Sequence, residues 1–578
     1  MIGNETFSGN PVRLDISRSK YHAQPTITGT FNAGELVPFY IDQDVMPGSS
    51  YKVRLRTCIR GSTPVGVPMD NLYMDVFYFF VPNELLLSRQ SMSPNVNDSN
   101  HSWSAIVGAQ DNLLNMPLPD STATVPAMTL GLGSAAYVGG FWDWTGQSLG
   151  AQAVTKVNPL GFLAYCKVWN DFFRDPNGGM NPVTYSISNG GFVEIHGGAF
   201  AADSGTAGLI NSYSLLPVCR FHGYFGSALP WPQRNATSVT IPVGGSAPIS
   251  FTDKGLVYVD NLDAMERSNV FNMVVGGANP PSGGSLTAAT DLSAASSLPN
   301  GAFPNGRFSN LIADLSQAAG ITVNRFRQLV QEQRWYEALA RSGNNTLGEL
   351  TAGMFGVTPP TGSSHRAEYL GSKRIALNVI QVNNTAGNNK STETQSSLGS
   401  TGSFMLTNSD DFMFSKSFTS WGVIIGVACV RCDDTFHQGL ERQYTRFRKF
   451  DYYWPQFANL GEQGILNSEI MLSGNGTADN AIFGYQEYGA EYRMKSNHVC
   501  GLIRPGKSLD YWTYTNNFSS VPSLKSFLDA RGQVDNIDRT LQVDHKTAGF
   551  QFVGQFATEV DYVLPMPTYS IPGLVDHH

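Results

Sequence analysis

One stretch of the sequence matches the phosphate-binding pattern GxxxxGK[ST]: it runs from Gly501 to Ser508 with the letters GLIRPGKS. The chemistry of that pattern needs a tight loop of free backbone N–H groups that leads directly into a helix. Pro505 removes one N–H donor, and the residues that follow, LDYWTYTNN, favour a strand rather than a helix. We therefore predict a hairpin turn at Arg504-Pro505-Gly506 and keep a nucleotide-binding enzyme only as an alternative hypothesis.

A second candidate for chemistry is a CxxC pair, Cys429-Val-Arg-Cys432, with His437 close behind it. A zinc site needs a second pair of ligands at a suitable spacing, and the nearest other cysteine, Cys500, is single. The pair also lies in an apolar run that predicts a strand, where residues three apart face opposite sides. We therefore predict two buried small side chains, and we expect neither a metal site nor a cofactor.

Motifs for hydrolysis are missing from the sequence. It contains no GxSxG and no HExxH, its ten histidines are spread along the chain, and no pair of carboxylates stands apart from ordinary surface usage. Catalytic groups can assemble in space from distant residues, so this observation lowers the expectation of catalysis without excluding it. We predict a protein that is not an enzyme.

Two local clusters of cations could contact nucleic acid. Their members are Arg13, Arg18 and Lys20 near the N-terminus, and Arg442, Arg446, Arg448 and Lys449 in the segment ERQYTRFRKF. In the second cluster Phe447 and Phe450 alternate with the cations, and single-stranded nucleic acid is bound by cations at the phosphates and by rings stacked on the bases. An exposed segment at a contact between subunits is the alternative interpretation, and the sequence leaves both open.

The composition limits the class of protein. The 578 residues carry 38 Lys+Arg against 46 Asp+Glu, a net charge of −8, and 41% are hydrophobic. A negative net field excludes binding to nucleic acid through overall charge, and the apolar content excludes a disordered chain. Only 15% of the residues are charged, against about 25% in most soluble domains. Because interface cores are poor in Lys, Glu and Asp, this scarcity favours a subunit of a large assembly.

The sequence also indicates a compartment. The N-terminus MIGNETFSGN has no basic and apolar pattern of a secretory signal, and the longest apolar runs, Val76–Val81 and Trp421–Val430, are far shorter than the ~20 residues that span a bilayer. The six cysteines are few and scattered, which fits a reducing cytoplasm rather than a disulfide framework. We expect no membrane span and a cytoplasmic site of synthesis.

Apolar alternation predicts a chain dominated by β-strands. Ser50–Arg60 alternates apolar residues with Lys52, Arg54 and Arg56, as a half-buried strand does. The other predicted strands are Asn71–Val81, Phe418–Arg431, Ala481–Arg493, His498–Arg504 and Gln551–Phe556. Only two helices are predicted, Thr322–Arg341 and Pro159–Arg174.

Long segments without periodicity separate the predicted strands. They lie at residues 86–158, 177–213, 234–321 and 383–402, and are rich in Gly, Asn, Ser and Thr. No Pro/Ser-rich linker divides the chain into two self-sufficient halves, so we predict one β domain over residues 1–578 that carries these segments as insertions.

Several blocks of the sequence resemble one known family, and they follow the family's order from one end of the chain to the other. The blocks are Asp70–Asn83 (DNLYMDVFYFFVPN), Leu216–Gln233 (LPVCRFHGYFGSALPWPQ), Tyr336–Gly343 (YEALARSG), Asp451–Gln463 (DYYWPQFANLGEQ), Asn467–Ile470, Phe483–Glu487, Glu491–Lys495 and Pro572–Leu574. The family is the major capsid protein of the Microviridae, small single-stranded-DNA bacteriophages, on the gokushovirus-like side. Gly223 and Gly226 depart from the family's pattern, which suggests a divergent member.

The resemblance implies a fold and a function. It implies an eight-stranded antiparallel jelly-roll β-barrel or sandwich with long loop insertions and a few helices. It implies a T=1 icosahedral capsid, assembled in the bacterial cytoplasm, that encloses circular single-stranded DNA and presents a surface to a host receptor. The insertion at 234–321 is by position our candidate for a protrusion near the threefold axes. The implied partners are copies of the chain itself, the packaged DNA, small internal scaffolding, DNA-packaging and pilot proteins, and the host surface.

One alternative comes from another class of protein. A secreted β-rich protein that binds or cleaves carbohydrate could line a groove with some of the nine tryptophans and place carboxylates beside it. The lack of a signal sequence argues against this alternative, and we retain the capsid protein as the main hypothesis.

Overall fold

The structure is a computed structural model that describes most of the chain. The described residues are 16–87, 128–130, 139–146, 155–175, 177, 180, 182–187, 193–197, 214–233, 249–251, 259–260, 307–308, 311–313, 323–341, 352–357, 366–383 and 401–569. The chain divides into two compact units, a larger one of Met1–Arg234 with Glu337–His578 and a smaller one of Asn235–Tyr336.

Strands account for the framework of the molecule. In chain order they are β1 Ser19–Ala23, β2 Thr26–Phe31, β3 Val37–Val45, β4 Ser50–Gly61, β5 Leu72–Pro82, β6 Met128–Leu130, β7 Thr155–Val157, β8 Val183–Ile187, β9 Val193–Gly197, β10 Ile249–Phe251, β11 Val259–Asp260, β12 Arg307–Phe308, β13 Leu311–Ala313, β14 Glu368–Ala376, β15 Val379–Asn383, β16 Thr401–Ser417, β17 Gly422–Cys432, β18 Thr435–Phe436, β19 Glu462–Leu466, β20 Ile482–Glu487, β21 Asn497–His498 and β22 Phe552–Leu564.

Most helices among the described residues are short. The α-helices are α1 Asn83–Leu87, α2 Phe141–Trp144, α3 Leu160–Val168, α4 Val323–Arg341, α5 at 352–355, α6 Asn467–Ile470, α7 Gly476–Asp479, α8 Ala490–Arg493, α9 Leu524–Leu528, α10 Val534–Asp538 and α11 His545–Ala548. A π-helix, Trp169–Phe173, continues α3, and 3₁₀ turns lie at Arg442–Thr445, Lys449–Asp451, Pro455–Phe457, Gly501–Ile503, Asp510–Trp512 and Ala530–Gln533. None of the helices in the described ranges is long and apolar enough to cross a membrane.

Two antiparallel sheets carry the larger unit. The six-stranded sheet has the order β1-β22-β4-β16-β15, with β2 also paired to β22, and the four-stranded sheet has the order β14-β5-β17-β3. The pairings are nested along the chain: β1 and β2 pair with β22, β3 with β17, β4 with β16 and β5 with β14. The outermost pair therefore joins residues from near the two ends of the chain, with Ser19 opposite Leu564.

The two sheets face each other across one hydrophobic core. The Phe39 ring of β3 stacks on the Phe556 ring of β22 with centroids 4.7 Å apart, and the hydroxyls of Tyr78 and Thr558 are hydrogen-bonded at 3.1 Å. Each of these contacts joins one sheet to the other. The alternating residues of β4, such as Val53 and Leu55, point into this core, which we call the inter-sheet core.

A second core covers the other side of the four-stranded sheet. Val427 and Cys429 of β17 pack there with Phe162 and Tyr165 of α3 and Trp169 of the π-helix, all of them buried. The Tyr165 hydroxyl donates a hydrogen bond to the backbone oxygen of Leu36 at 2.7 Å, so the polar group of this buried side chain has a partner. Because β17 is covered on both faces, it is apolar almost throughout, and the sequence shows a continuous rather than an alternating pattern.

The predicted strands Ser50–Arg60, Asn71–Val81, Phe418–Arg431 and Gln551–Phe556 are confirmed as β4, β5, β17 and β22. The predicted helices Pro159–Arg174 and Thr322–Arg341 are also confirmed, the first as α3 with its π-helical continuation and the second as α4. The β-dominated class is confirmed with them.

Two predicted strands are wrong in part. Ala481–Arg493 is a strand only to Glu487, because Gly489 adopts a φ of 77° and the chain then enters the short helix α8. A left-handed residue cannot continue a strand, and glycine adopts that conformation readily. His498–Arg504 contains only the end of the two-residue strand β21 and then a 3₁₀ turn.

The smaller unit is described in part. It contains two short antiparallel pairs, β10 with β13 and β11 with β12, and the residues of α4 up to Tyr336. In α4, Leu329 is buried, whereas Phe326 and Trp335 of the predicted apolar stripe are each about half exposed.

Candidate nucleic-acid interface

The N-terminal cations lie beside the first strand of the six-stranded sheet. Arg18 is exposed just before β1, and Lys20 on β1 has its Nζ 3.8 Å from Asp561 of β22. His22 Nδ1 lies 2.9 Å from the same carboxylate, and this hydrogen bond, together with the charge of Lys20, lowers the pKa of Asp561. Arg13 lies outside the described residues.

Two cations of the second cluster are held inside the protein. Arg442 donates from Nη1 to the backbone oxygen of Gly464 at 3.0 Å and lies 3.7 Å from Glu469. Arg446 donates to Glu491 at 2.8 Å, and its side chain is only 9% exposed. The two guanidinium groups therefore pair with a buried carboxylate, Glu469, and a partly buried one, Glu491, and anchor the segment to the protein.

The cavity beside these two arginines is small. Tyr224 donates its hydroxyl to Glu469 at 2.8 Å, and burial raises the pKa of Glu469 against the lowering effect of Arg442. The space lined by these residues and by Tyr492 is about 140 Å³. Ligand sites for drug-sized molecules enclose roughly 300–1,000 Å³, so this cavity has room for a few waters and not for a nucleotide.

The other two cations of the cluster are exposed. Arg448 and Lys449 form no ion pair within 4.0 Å with any residue that the structure describes, and Lys449 Nζ lies 4.8 Å above the Phe450 ring. The Asp451 carboxylate accepts the backbone N–H groups of Phe447 and Arg448 at 2.9 and 2.8 Å, which lowers its pKa. The backbone under the two cations is thus fixed while their charges point to solvent.

Six aromatic side chains in the same segment are exposed, and we call residues Tyr444–Trp454 the aromatic arm. The rings are Tyr444, Phe447, Phe450, Tyr452, Tyr453 and Trp454, with exposed fractions from 41% to 88%. Trp454 Nε1 donates to the backbone oxygen of Lys449 at 2.7 Å, and the Tyr492 hydroxyl accepts from Tyr453 N. These hydrogen bonds fix the backbone that carries the exposed rings. The rings could therefore stack on nucleic-acid bases or contact another protein surface.

The structure also shows a set of cations that the sequence analysis did not select. On β4, the side chains of Lys52, Arg54, Arg56 and Arg60 are exposed on the side of the six-stranded sheet that faces away from the inter-sheet core. The signal was present in the alternation of this strand. What the sequence could not show is that Lys20 lies on the same face, because its position depends on a pairing with β22.

The other sequence motifs take no part in an active site. Gly501–Ile503 is a 3₁₀ turn, Pro505 and Gly506 form a turn, and no α-helix follows, so the phosphate-binding arrangement is not formed. The turn at Arg504-Pro505-Gly506 is correct, but the hairpin is wrong, since 3₁₀ turns flank it on both sides. Cys429 and Cys432 are buried, as predicted.

One group of side chains has the composition of a metal site. Oxygen and nitrogen atoms of Asp535, Asp538 and His545 lie within 4.8 Å of one another. Lys546 pairs with Asp535 at 3.3 Å, and His545 is hydrogen-bonded to Asp538. These protein partners already satisfy the three groups, so the arrangement is explained without an ion.

The chain is similar to known proteins along its whole length. The family described as capsid protein (F protein) matches residues 12–574. Capsid protein VP1 of Bdellovibrio phage phiMH2K is 32% identical over 96% of this chain and 95% of its own length. Capsid protein VP1 of Spiroplasma virus 4 is 32% identical (98% and 96%), and that of Chlamydia phage 1 is 30% identical (97% and 96%).

Proposed function

Since this chain belongs to the phage capsid protein (F protein) family, we propose that its copies assemble into a T=1 icosahedral shell that encloses a circular single-stranded DNA genome. The family match over residues 12–574 is the observation that carries this proposal. The role is structural rather than catalytic, and the protein is located in the virion.

The finer description of the fold is a jelly roll. An eight-stranded jelly roll is a double sheet built from two Greek keys. Its first strand pairs with its last strand, its second with the second-to-last, and so on to the middle of the chain. The nested pairs β1/β2–β22, β3–β17, β4–β16 and β5–β14 support this assignment. In this assignment β1 and β2, which both pair with β22, count as one interrupted strand of the roll, and β15 is an additional edge strand antiparallel to β16.

The insertion at 234–321 forms the protrusion near the threefold axes and presents a surface for attachment to the host. Its low-complexity part, residues 276–305, lies outside the described residues. The grouping of Asn235–Tyr336 as a compact unit of its own supports this proposal. Function concentrates on loops and outgrowths because the scaffold under them can stay constant.

The DNA contacts come from a few local cations. Arg13, Arg18, Lys20, Arg448 and Lys449 are proposed to contact phosphates, while Arg442 and Arg446 support the aromatic arm from within. With a net charge of −8, the chain cannot neutralise a genome alone. Small basic packaging, scaffolding and pilot proteins of the phage are therefore proposed partners.

The aromatic arm contacts a neighbouring copy of the chain. At about 200 Å² per ring, the six exposed rings present on the order of 700 Å², close to the roughly 800 Å² that one partner contributes to a standard interface. Tyr, Trp and Arg are also the residues most enriched at interface hot spots. Arg448 and Lys449, which lie within the arm and are exposed, then reach DNA.

The shell is tested by imaging. We expect particles from cells that produce the phage to give a cryo-electron microscopy map whose icosahedral shell is built from this chain. A shell without the chain would overturn the proposal, as would a purified chain that forms only small oligomers with and without the other phage proteins.

The DNA contacts are tested separately with Arg448→Gln/Lys449→Gln particles. We expect closed shells that retain less DNA after nuclease treatment and a salt wash. Unchanged DNA content would remove these two residues from the proposal, and Arg442→Gln should instead lower the stability of the subunit.

A further inference from the structure

The side of the six-stranded sheet that faces away from the inter-sheet core is open to solvent, and we call it the outer sheet face. Its central strand, β4, places Lys52, Arg54, Arg56 and Arg60 on this face, and β1 adds Lys20. Alternate residues of a strand lie about 6.8 Å apart, so Lys52 to Arg60 forms a row roughly 27 Å long. The four cations of β4 thus lie on one line, interrupted at Cys58, rather than as isolated surface charges.

Three carboxylates share the face with this row. Asp410 of β16 lies 3.4 Å from Arg54 and 3.2 Å from Arg56, and Glu559 of β22 lies 3.1 Å from Arg56. Asp561 lies opposite Lys52 and pairs with Lys20 and His22. Five permanent cations against three carboxylates leave this face with a net charge of +2, on a chain whose net charge is −8.

The ion pairs of the row are incomplete and exposed. The side chains of Arg54 and Arg56 are 47% and 48% exposed, and they share one carboxylate, Asp410. Lys52 and Arg60 have no ion pair within 4.0 Å among the described residues. Exposed pairs contribute little to stability, so a phosphate group can replace these carboxylates at small cost.

Aromatic rings lie beside the cations. Phe412 of β16 is directly opposite Arg54 and is 56% exposed, and Phe404 of the same strand is 37% exposed. Exposed rings on a sheet surface with cations around them are how several proteins hold unpaired bases and their phosphates.

We infer that the outer sheet face is a binding surface for single-stranded DNA, with Lys52, Arg54, Arg56 and Arg60 at the phosphates and Phe412 stacked on a base. The inference rests on the proposed function, which supplies the single-stranded genome. Single strands are favoured over duplex because the bases of a duplex are already stacked, so an exposed ring gains nothing from them. The competing carboxylates make the binding weak, and contacts to phosphates and to the face of any base make it independent of sequence, which suits a wall that holds any part of a genome.

The test uses the purified full-length chain and a fluorescein-labelled oligothymidylate, with binding followed by fluorescence anisotropy at several salt concentrations. For Arg54→Gln/Arg56→Gln we expect weaker binding and a slope of log K against log salt that is smaller by about 1.4, the value for two lost phosphate contacts. Phe412→Ala should weaken binding by roughly 5- to 100-fold with an unchanged slope, since stacking is not ionic.

The most telling variant is Asp410→Asn. It should strengthen binding by roughly two- to fivefold, the range of an exposed ion pair, because it releases both arginines. A purely structural role for Asp410 predicts no such gain. Lys546→Gln is the matched control: it removes one cation from an exposed pair with Asp535 elsewhere on the surface, and it should leave binding unchanged.

The outcomes separate this inference from the proposed function. Equal loss in the arginine variant and in Lys546→Gln, or no change in Arg54→Gln/Arg56→Gln and Phe412→Ala, would overturn the inference. If the arginine variant fails to fold, as judged by circular dichroism, Asp410→Asn and Phe412→Ala carry the test. Variants that bind oligothymidylate normally but do not form shells would show a protein contact at this face and would also overturn it. A wild-type chain that binds oligothymidylate but never enters a shell would instead overturn the proposed function.

Discussion

Cys429 and Cys432 lie three residues apart on β17, and their thiols enter different cores. Cys429 packs in the core beneath α3, and Cys432 packs in the inter-sheet core. The two thiols therefore lie on opposite faces of β17. A CxxC pair in a loop could have directed both thiols to one metal ion, but this strand separates them. Burial raises the pKa of Cys429 to about 11, and burial also raises the pKa of Cys432.

The first prediction concerns thiol reactivity. At pH 8 a disulfide reagent should modify the exposed Cys500 quickly and leave Cys429 and Cys432 unmodified, because a raised pKa keeps them protonated and burial excludes the reagent. The fraction of each modified thiol can be measured by peptide mass spectrometry, with Cys500→Ser as the control. Rapid native labelling at Cys429 or Cys432 would contradict the burial, and both should react in urea.

The second prediction concerns a carboxylate that joins three strands. Asp75 of β5 is 4% exposed and lies 2.6 Å from Arg374 of β14 and 2.6 Å from Arg431 of β17. Asp75→Ala leaves the largely buried Arg431 without its carboxylate, whereas the half-exposed Arg374 can be solvated, so it should lower the free energy of unfolding by about 3 kcal/mol, the lower end of the range for breaking a buried pair. Urea unfolding of the full-length chain measures this loss.

The matched control for that variant is Asp535→Ala. Asp535 also pairs with a cation, Lys546, but the two side chains are 75% and 69% exposed. Its loss should change the free energy of unfolding by less than about 1 kcal/mol. Equal effects of the two substitutions would show that burial does not decide the strength of these ion pairs.

The third prediction is a pH dependence. The Asp479 carboxylate accepts from the Ser473 hydroxyl at 2.6 Å, from Ser473 N at 2.8 Å and from Gly474 N at 3.0 Å, and these bonds lower its pKa from the ordinary 3.8. A lowered pKa gives stability that is present above pH 3.8 and is lost as the pH falls through the lower value. The wild type should therefore exceed Asp479→Asn in stability at pH 6, and the difference should shrink as the pH approaches 3. Urea midpoints across this range test it, and a difference that does not depend on pH would refute it.

The fourth prediction concerns assembly through the aromatic arm. Phe447 is 88% exposed, so Phe447→Ser should leave subunit stability unchanged. If the ring is a hot spot at the contact between copies, its loss costs about 2 kcal/mol, or roughly a 30-fold weaker association. Light scattering during assembly measures this. Phe355→Ser is the control, because it removes another exposed ring (76%) that lies outside the aromatic arm. An equal assembly defect in this variant would show that the aromatic arm has no specific part in assembly.

The fifth prediction concerns the insertion at 234–321. Deletion of residues 276–305 should leave a folded, soluble subunit, because this stretch has no apolar periodicity. Particles that carry the deletion should adsorb less to host cells. Loss of soluble subunit would show that the stretch packs into a core, and unchanged adsorption would remove it from host attachment.

Local chemistry explains why some elements could be predicted from the sequence. The alternation in Ser50–Gly61 predicts β4 and both of its faces, because successive side chains of a strand point in opposite directions. The stripe in Val323–Arg341 likewise predicts α4. In the aromatic arm, the sequence shows the cations and the rings but not which of them are free, since the partners of Arg442 and Arg446 are 27 and 45 residues away along the chain.

The sequence by itself determined the β-dominated fold class and the opposed positions of Cys429 and Cys432, because both follow from the two-residue period of a strand. It also determined the scarcity of charge, from composition, and the family, from matching blocks. The tertiary structure alone decided that Lys20 shares a face with Lys52 and Arg54, because that face forms only when β22 inserts between β1 and β4. Pairing across more than 500 residues, such as Ser19 with Leu564, depends on how the apolar faces pack together, and no local pattern encodes it.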